Sequence, residues 1–362
     1  MNTKKHSTRV EAGMVGVALA ALVAAGALVA SGDAFAAQTQ VLETGSTLLY
    51  PLFNLWVPAY SEKHGDVKIT TQGTGSGTGI SEAISKVAQI GASDAYMSDA
   101  QMKANKGILN IPLAISSQMI NYNIPGLNGE HLKLSGPVLA GIYDGHVTYW
   151  DDPAIAKLNA GVKLPHQQIV PVHRTDGSGD TFIFSQYLSF STPGWSKSVG
   201  YGTTVSWPAV EGGIGAEGNP GMVNAAKGTP YSIAYIGISF KKATEQAGLG
   251  EAALENKDGK FVLANQKTVG AAVEATAGKT PANERISLIF APGAESYPII
   301  NYEYAIVNTA QMPEMAAALK SFFTWAINPK GGSSEHFMKA VGFVPLPPQI
   351  RALSEKQIAM IH

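Results

Sequence analysis

Between Arg174 and Asp180 the chain reads Arg-Thr-Asp-Gly-Ser-Gly-Asp, a set of residues suited to holding an anion. The preceding Ile169-Val170-Pro171-Val172 predicts a short buried strand. Phe182-Ile183-Phe184-Ser185-Gln186-Tyr187-Leu188 predicts a helix with one apolar face. A strand that turns through Gly177-Ser178-Gly179 into a helix leaves backbone N–H groups without partners at the positive end of the helix dipole. Arg174 adds a permanent cation whose fork of donors matches phosphate or carboxylate oxygens. The same residues also fit an ordinary capped helix, with Ser178 as N-cap and Arg174 paired to Asp176 on the surface.

Three further stretches repeat the pattern. Thr44-Gly45-Ser46-Thr47-Leu48-Leu49-Tyr50-Pro51 follows a short strand and opens a helix, with Leu48, Leu52, Leu55, Trp56 and Ala59 at helical spacing. The N–H groups of Leu48, Leu49 and Tyr50 stand where an anion could use them. Val67-Lys68-Ile69-Thr70-Thr71 alternates like a strand. It leads through Gly73, Gly75, Gly77 and Gly79 into a helix marked by Ile80, Ala83, Ile84, Val87 and Ala88. The glycines let the backbone approach a ligand, and Ser76 is a small donor among them. Gln89-Ile90-Gly91-Ala92 is a short strand ending in Ser93-Asp94, which sets a carboxylate where the other loops set donors. As a plain turn residue Asp94 would need no ligand.

Several chemistries are excluded by spacing. Among the glycines from Gly73 to Gly79 no Gly-x-Gly-x-x-Gly fits, and no lysine stands where a nucleotide-binding P-loop requires one. Neither Ser76 nor Ser178 sits in a Gly-x-Ser-x-Gly nucleophile elbow. The eight histidines are scattered without metal-ligand spacing, so neither a metal nor a cofactor is expected. The 26 basic and 27 acidic residues give no net field that would favour nucleic acid.

These loops must be held by a substantial scaffold. At 362 residues, 45% hydrophobic and 15% charged, the chain can form two domains. Lys4, Lys5 and Arg9 precede an apolar run from Met14 to Ala30, and Ala34-Phe35-Ala36 offers a small-x-small cleavage pattern. Residues 1–36 are therefore expected to be a signal peptide, removed near Ala36/Ala37. Removal takes three of the 26 basic residues (Lys4, Lys5, Arg9) and two of the 27 acidic ones (Glu11, Asp33), leaving 23 against 25. No cysteine is present for a disulfide or for a lipid anchor, so a soluble periplasmic product is expected. Ile111–Ile124 and Pro298–Asn308 are long, extended and partly polar, and both contain Ile-Asn-Tyr. They predict two strands crossing between lobes, with lobe I formed by residues 37–120 and 303–362 and lobe II by 121–302.

Gly91-Ala92-Ser93-Asp94-Ala95, Tyr149-Trp150-Asp151-Asp152-Pro153-Ala154-Ile155 and Arg174-x-Asp176-Gly177-Ser178-Gly179 together resemble the phosphate-binding proteins of bacterial high-affinity phosphate ABC transporters. Order and spacing agree from about Thr44 to the C-terminus, and the Gly45–Trp56 and Tyr297–Asn308 stretches are especially similar to the mycobacterial branch. The resemblance implies an α/β, two-lobe type II periplasmic-binding-protein fold with two crossing strands as hinge. It also implies a non-enzymatic monomer that binds inorganic phosphate and passes it to the membrane permease and ATPase subunits of an importer. The implied ligand set is the amides of Leu48, Leu49 and Tyr50, then Ser76, Asp94 as acceptor of a phosphate proton, Arg174 steadied by Asp176, and Ser178 and Gly179. Two positions depart from the enterobacterial pattern. Leu49 stands for a threonine whose hydroxyl only Thr47 could replace. Asp180 stands for another threonine; a carboxylate there could accept a second phosphate proton or merely cap the helix, and contact with the ligand is the expectation. Sulfate or molybdate would suit the donors but not Asp94, and an exported phosphatase would need an activated nucleophile or metals.

Overall fold

A nine-stranded sheet runs through the protein, whose computed structural model describes residues 38–362. The expected signal peptide and its cleavage site lie outside the described residues. In chain order the strands are β1 (Thr39–Gly45), β2 (Val67–Gly73), β3 (Ile90–Ser93), β4 (Ile108–Tyr122), β5 (Lys133–Leu134), β6 (Val170–Arg174), β7 (Ile214–Ala216), β8 (Ser232–Gly237), β9 (Gly250–Glu251), β10 (Ala253–Glu255), β11 (Phe261–Val262) and β12 (Ile300–Asn308). The large sheet is ordered β2-β1-β3-β12-β4-β8-β6-β7, with β9 also on β4, while β11-β10-β5 form a small separate sheet.

Two parallel halves make up the large sheet. One is β2-β1-β3 and the other β8-β6-β7. Between them lie β12 and β4, antiparallel to each other and to their outer neighbours. The fifteen residues of β4 are all buried, including the polar Asn110, Ser116, Ser117, Gln118 and Asn121. From Ile108 to Ser117 this strand pairs with β12, and from Gln118 to Tyr122 it pairs with β8. The two strands expected to cross between lobes are thus the shared centre of an α/β, two-lobe fold. By contrast β2 lies at the edge, and there Val67 and Ile69 are buried while Lys68 and Thr70 face water.

The helix Tyr50–Ser61 begins with a proline at its first turn, as expected. Its buried face is Leu52, Phe53, Trp56 and Tyr60, whereas Leu55 is turned outward. The face is rotated because Phe53, Trp56 and Tyr60 all pack against Phe322 of the helix Pro313–Ala326. One segment crosses the expected lobe assignment. Glu284 accepts hydrogen bonds from Ser354 and Gln357, and Arg285 donates to the Met97 carbonyl and Asp99, so this part of residues 121–302 leans on the other lobe.

Candidate functional site

Every loop singled out above leaves a sheet strand at its C-terminal end. That is where an open α/β sheet collects ligands. At the end of β1, Gly45 has φ +138°, and a Cβ there would lie 2.0 Å from the Ala92 carbonyl oxygen. Only glycine lets β1 and β3 run this close while the chain turns away. Ser46 follows, and its hydroxyl oxygen accepts the Leu49 N–H at 2.9 Å. With that lone pair used, the hydroxyl proton is directed at Asp94 Oδ1. The Tyr50 N–H donates to the Ser46 carbonyl at 3.0 Å. Two of the three amides expected as ligand donors, those of Leu49 and Tyr50, therefore tie the turn itself. Leu48 has its carbonyl on the Ser239 hydroxyl at 2.7 Å.

The second loop brings Ser76 to the start of the helix Ser76–Ile84. Its oxygen accepts the Asp94 N–H at 3.1 Å and lies 3.3 Å from Asp94 Oδ2, to which it donates. Asp94, one residue beyond β3, is 2% exposed and receives both serine hydroxyls. Burial, reinforced by the negative Asp180, pushes its carboxyl up to about 7.

Arg174 closes β6, its own N–H donating to the Tyr235 hydroxyl at 2.8 Å. Asp176 grips the guanidinium through Nε at 2.7 Å and through Nη2. Nη1 donates to Asp180 at 2.9 Å. A guanidinium has five N–H donors, so two remain for a ligand. The surface pairing of Arg174 with Asp176 is overturned, because the Arg174 side chain is 1% exposed. The pairing itself is real, and it holds Asp176 below the ordinary aspartate range despite burial. Ser178 is the N-cap of the helix Gly179–Ser191 and accepts the Thr181 N–H at 3.1 Å. Its hydroxyl proton remains free, and among the described hydrogen bonds the N–H groups of Gly179 and Asp180 donate to nothing. Capping by Ser178 therefore leaves donors at this helix end free for an anion.

Asp180 is committed to protein partners. Its carboxylate accepts from Arg174, from Gln118 Nε2 at 3.0 Å and from Asn219 Nδ2 at 2.6 Å. Burial pushes its carboxyl up, and these three donors oppose that. Asn219 also donates to the Thr47 hydroxyl oxygen at 3.0 Å, which leaves the Thr47 proton free. The loops meet closely. The Gly77 N–H donates to the Gly177 carbonyl at 2.8 Å, and a Cβ on Gly179 would lie 2.3 Å from Asp94 Oδ2 and 2.4 Å from Ser76 Oγ. The structure thus brings Ser76, Asp94, Arg174, Ser178, Gly179 and Asp180 together, with the Leu48–Tyr50 turn bound to them through Ser46.

Ser46, Gln118, Asn219 and Glu303 belong to this cluster and were not singled out in the sequence. Glu303 carried a signal, being a lone charge inside the apolar run Tyr302–Val307. Asn219 was missed because the glycine-rich run around it reads as a loop, whereas it lies in the first turn of the helix Gly218–Gly228. Beside the cluster a cavity of about 410 Å3 is lined by Ile80, Tyr96, Phe182, Tyr201 and Arg285, a helical turn beyond Ser76 and Ser178.

A family model described as a PBP superfamily domain matches residues 32–330. The phosphate-binding protein PstS of Methanocaldococcus jannaschii is 36% identical, covering 88% of this chain and 85% of its own. The phosphate-binding protein PstS 3 of Mycobacterium leprae is 30% identical, covering 85% and 83%. In fold, the chain is similar to the crystal structure of a phosphate-binding protein from Stenotrophomonas maltophilia, with TM-score 0.69, 18% identity and coverage of 88% and 93%. The strand-end loops, the two crossing strands and these relatives lead to one conclusion: the chain belongs to the PBP superfamily and, within it, to the PstS phosphate-binding proteins.

Proposed function

We propose that this protein binds inorganic phosphate between its two lobes and delivers it to the permease and ATPase subunits of an ABC importer. It does so without chemistry on the ligand, as a monomer exported to the periplasm after loss of residues 1–36. The lobes divide near the expected limits, 37–120 with 303–362 and 121–302.

One observation carries this reading. The buried acceptor Asp94 lies among donors from both lobes: the Ser76 N–H, the two remaining N–H groups of Arg174, the Ser178 hydroxyl and the N–H of Gly179. Sulfate offers such a site only acceptors, whereas phosphate near neutral pH retains a proton for the carboxylate. Leu48 contributes its amide. Leu49 and Tyr50 act chiefly by fixing Ser46 and the turn, and Asp180 acts chiefly by holding Arg174 and Asn219 while its N–H faces the ligand. Titration calorimetry of residues 37–362 with phosphate and with sulfate tests the function. Tight phosphate binding with little sulfate binding is expected, and comparable affinity for both would overturn it.

A further inference from the structure

We infer that Glu303 is a positioning residue of the anion site: it keeps its proton and donates it to Asp94, leaving Asp94 ionised as the acceptor that faces the ligand. This rests on the phosphate-binding reading and adds a residue from outside the four loops.

The geometry begins with the sheet. In the antiparallel pairing of β12 with β3, Tyr304 lies opposite Ser93, so Glu303 comes beside Asp94 at the end of β3. The pairing of β12 with β4 shifts register between Glu303 and Tyr304. Such a bulge re-aims a side chain next to a site. Asn301 fixes the arrangement, its Nδ2 lying 3.2 Å from the Asp94 carbonyl oxygen and 3.1 Å from Glu303 Oε1.

Glu303 is 0% exposed, and its two oxygens differ. Oε1 accepts from the Ser116 hydroxyl and from Asn301. Oε2 is buried with no donor pointed at it among the described residues. A buried carboxylate oxygen without a donor is costly, whereas a carboxyl O–H at that atom has its own proton to give. Charge leads to the same assignment. Asp176 and Asp180 both contact the guanidinium of Arg174, whereas Asp94 and Glu303 contact no cation among the described residues. Two like charges side by side in a buried site do not both persist, so one of this pair holds a proton. Asp94 receives hydroxyl donors on both oxygens and Glu303 on one only, so the proton belongs on Glu303.

Burial and the neighbouring Asp94 also push the Glu303 carboxyl well above its ordinary range. The titratable groups facing it are Asp94 from β3 and, through Asp94, Asp180 and Arg174 from the other lobe. The neighbouring β4 offers it the uncharged Ser116. With donors from Ser46, Ser76 and Glu303, three of the roughly four acceptor positions of the Asp94 carboxylate are filled. One remains for a proton carried by the ligand.

The test uses the mature protein and its Glu303→Gln and Glu303→Leu variants. In the phosphate-free protein near neutral pH, the infrared difference between wild type and Glu303→Gln should show loss of a protonated-carboxyl band. A carboxylate band lost in its place would overturn the inference, whatever the protein binds. In calorimetry with inorganic phosphate, Glu303→Leu should lose about ten- to a hundredfold in affinity, the worth of a hydrogen bond to a charged group. Glu303→Gln keeps a donor of the same shape. It should restore binding to within about threefold, with a pH profile from 6 to 8 that superimposes on the wild type. A Glu303→Gln profile that diverges, or a loss equal to that of Glu303→Leu, would also overturn it. Failure of the wild type itself to bind phosphate would instead sink the functional reading, and the infrared result would still stand.

Discussion

A buried carboxyl whose proton leaves near pH 7 can present either a donor or an acceptor, and its surroundings decide which. Around Asp94 the hydroxyls of Ser46 and Ser76 have spent acceptor positions on the Leu49 and Asp94 amides, so both give their protons to the carboxylate. That bias favours a ligand with a proton of its own. Asp94→Asn should therefore relax selectivity, because the amide can turn its NH2 toward sulfate. Sites built for a partner hydrogen bond reject an analogue lacking it by about 10^4–10^5. Competition calorimetry should show much of that ratio lost in the variant, and an unchanged ratio would remove Asp94 as selector. Arg174 carries a different load, a buried cation joined to Asp176 and Asp180 with two N–H groups left over for the proposed anion. Truncating one partner of a buried charged pair costs about 2–5 kcal/mol or more. Arg174→Ala should weaken phosphate binding by orders of magnitude while circular dichroism stays native. Normal affinity in that variant would place the anion elsewhere.

At the scale of elements, the site is made where two helix N-termini and two strand ends come within contact distance. Gly179 is the tightest point, since a Cβ there would overlap Asp94 Oδ2 and Ser76 Oγ. As the first residue of a helix it tolerates alanine locally, so Gly179→Ala should leave melting behaviour close to wild type. The added methyl should instead hold the loops apart and cost tenfold or more in phosphate affinity, about 1.4 kcal/mol. Unchanged affinity would mean that the loops do not meet this closely in solution. The strand-loop-helix units were legible because each is local: alternation in β2, the apolar run of β4 and the glycines after β1 and β2 need only a few neighbouring residues to be read. The partners of those loops were not legible, for the opposite reason. Asn219 reaches Thr47 and Asp180, and Gln118 reaches Asp180, only through the order of strands in the sheet. The lean of Glu284 and Arg285 onto the other lobe is likewise a property of packing, invisible in a segment with no repeat. Leu55 was placed on the wrong face because its spacing suits either side of the helix, and the aromatic contacts with Phe322 settled the phase.

Across the whole molecule, burial of carboxyls links stability to pH. Glu43 and Glu284 are pushed up to about 8, in each case chiefly by burial. The folded protein holds protons that the unfolded chain has released from roughly pH 4 upward, so these groups make stability decline as pH rises toward about 8. Asp176, held low by Arg174, acts in the opposite sense only where pH falls below the ordinary aspartate range. The phosphate-free protein should accordingly melt higher at pH 5 than at pH 8, and the reverse order would contradict these protonation states. Ligand entry depends on a second whole-molecule property. Ser76, Asp94, Arg174 and Ser178 are at most 3% exposed, so an anion reaches them only when the lobes separate about β4 and β12. Such an opening would break the Gly77–Gly177 and Thr47–Asn219 hydrogen bonds, and a phosphate held as proposed by both lobes would restore the closed arrangement. A ligand that binds one of two conformations shifts the population toward it. The same preference stabilises the fold, by about 4 kcal/mol at a thousand times the dissociation constant. Saturating phosphate should therefore lower the radius of gyration in small-angle scattering and raise the melting temperature together. Sulfate at the same concentration should do neither, and Arg174→Ala should respond to neither anion. A raised melting temperature with unchanged scattering would mean that phosphate binds without closure, and the two crossing strands would then be a rigid support, not a hinge.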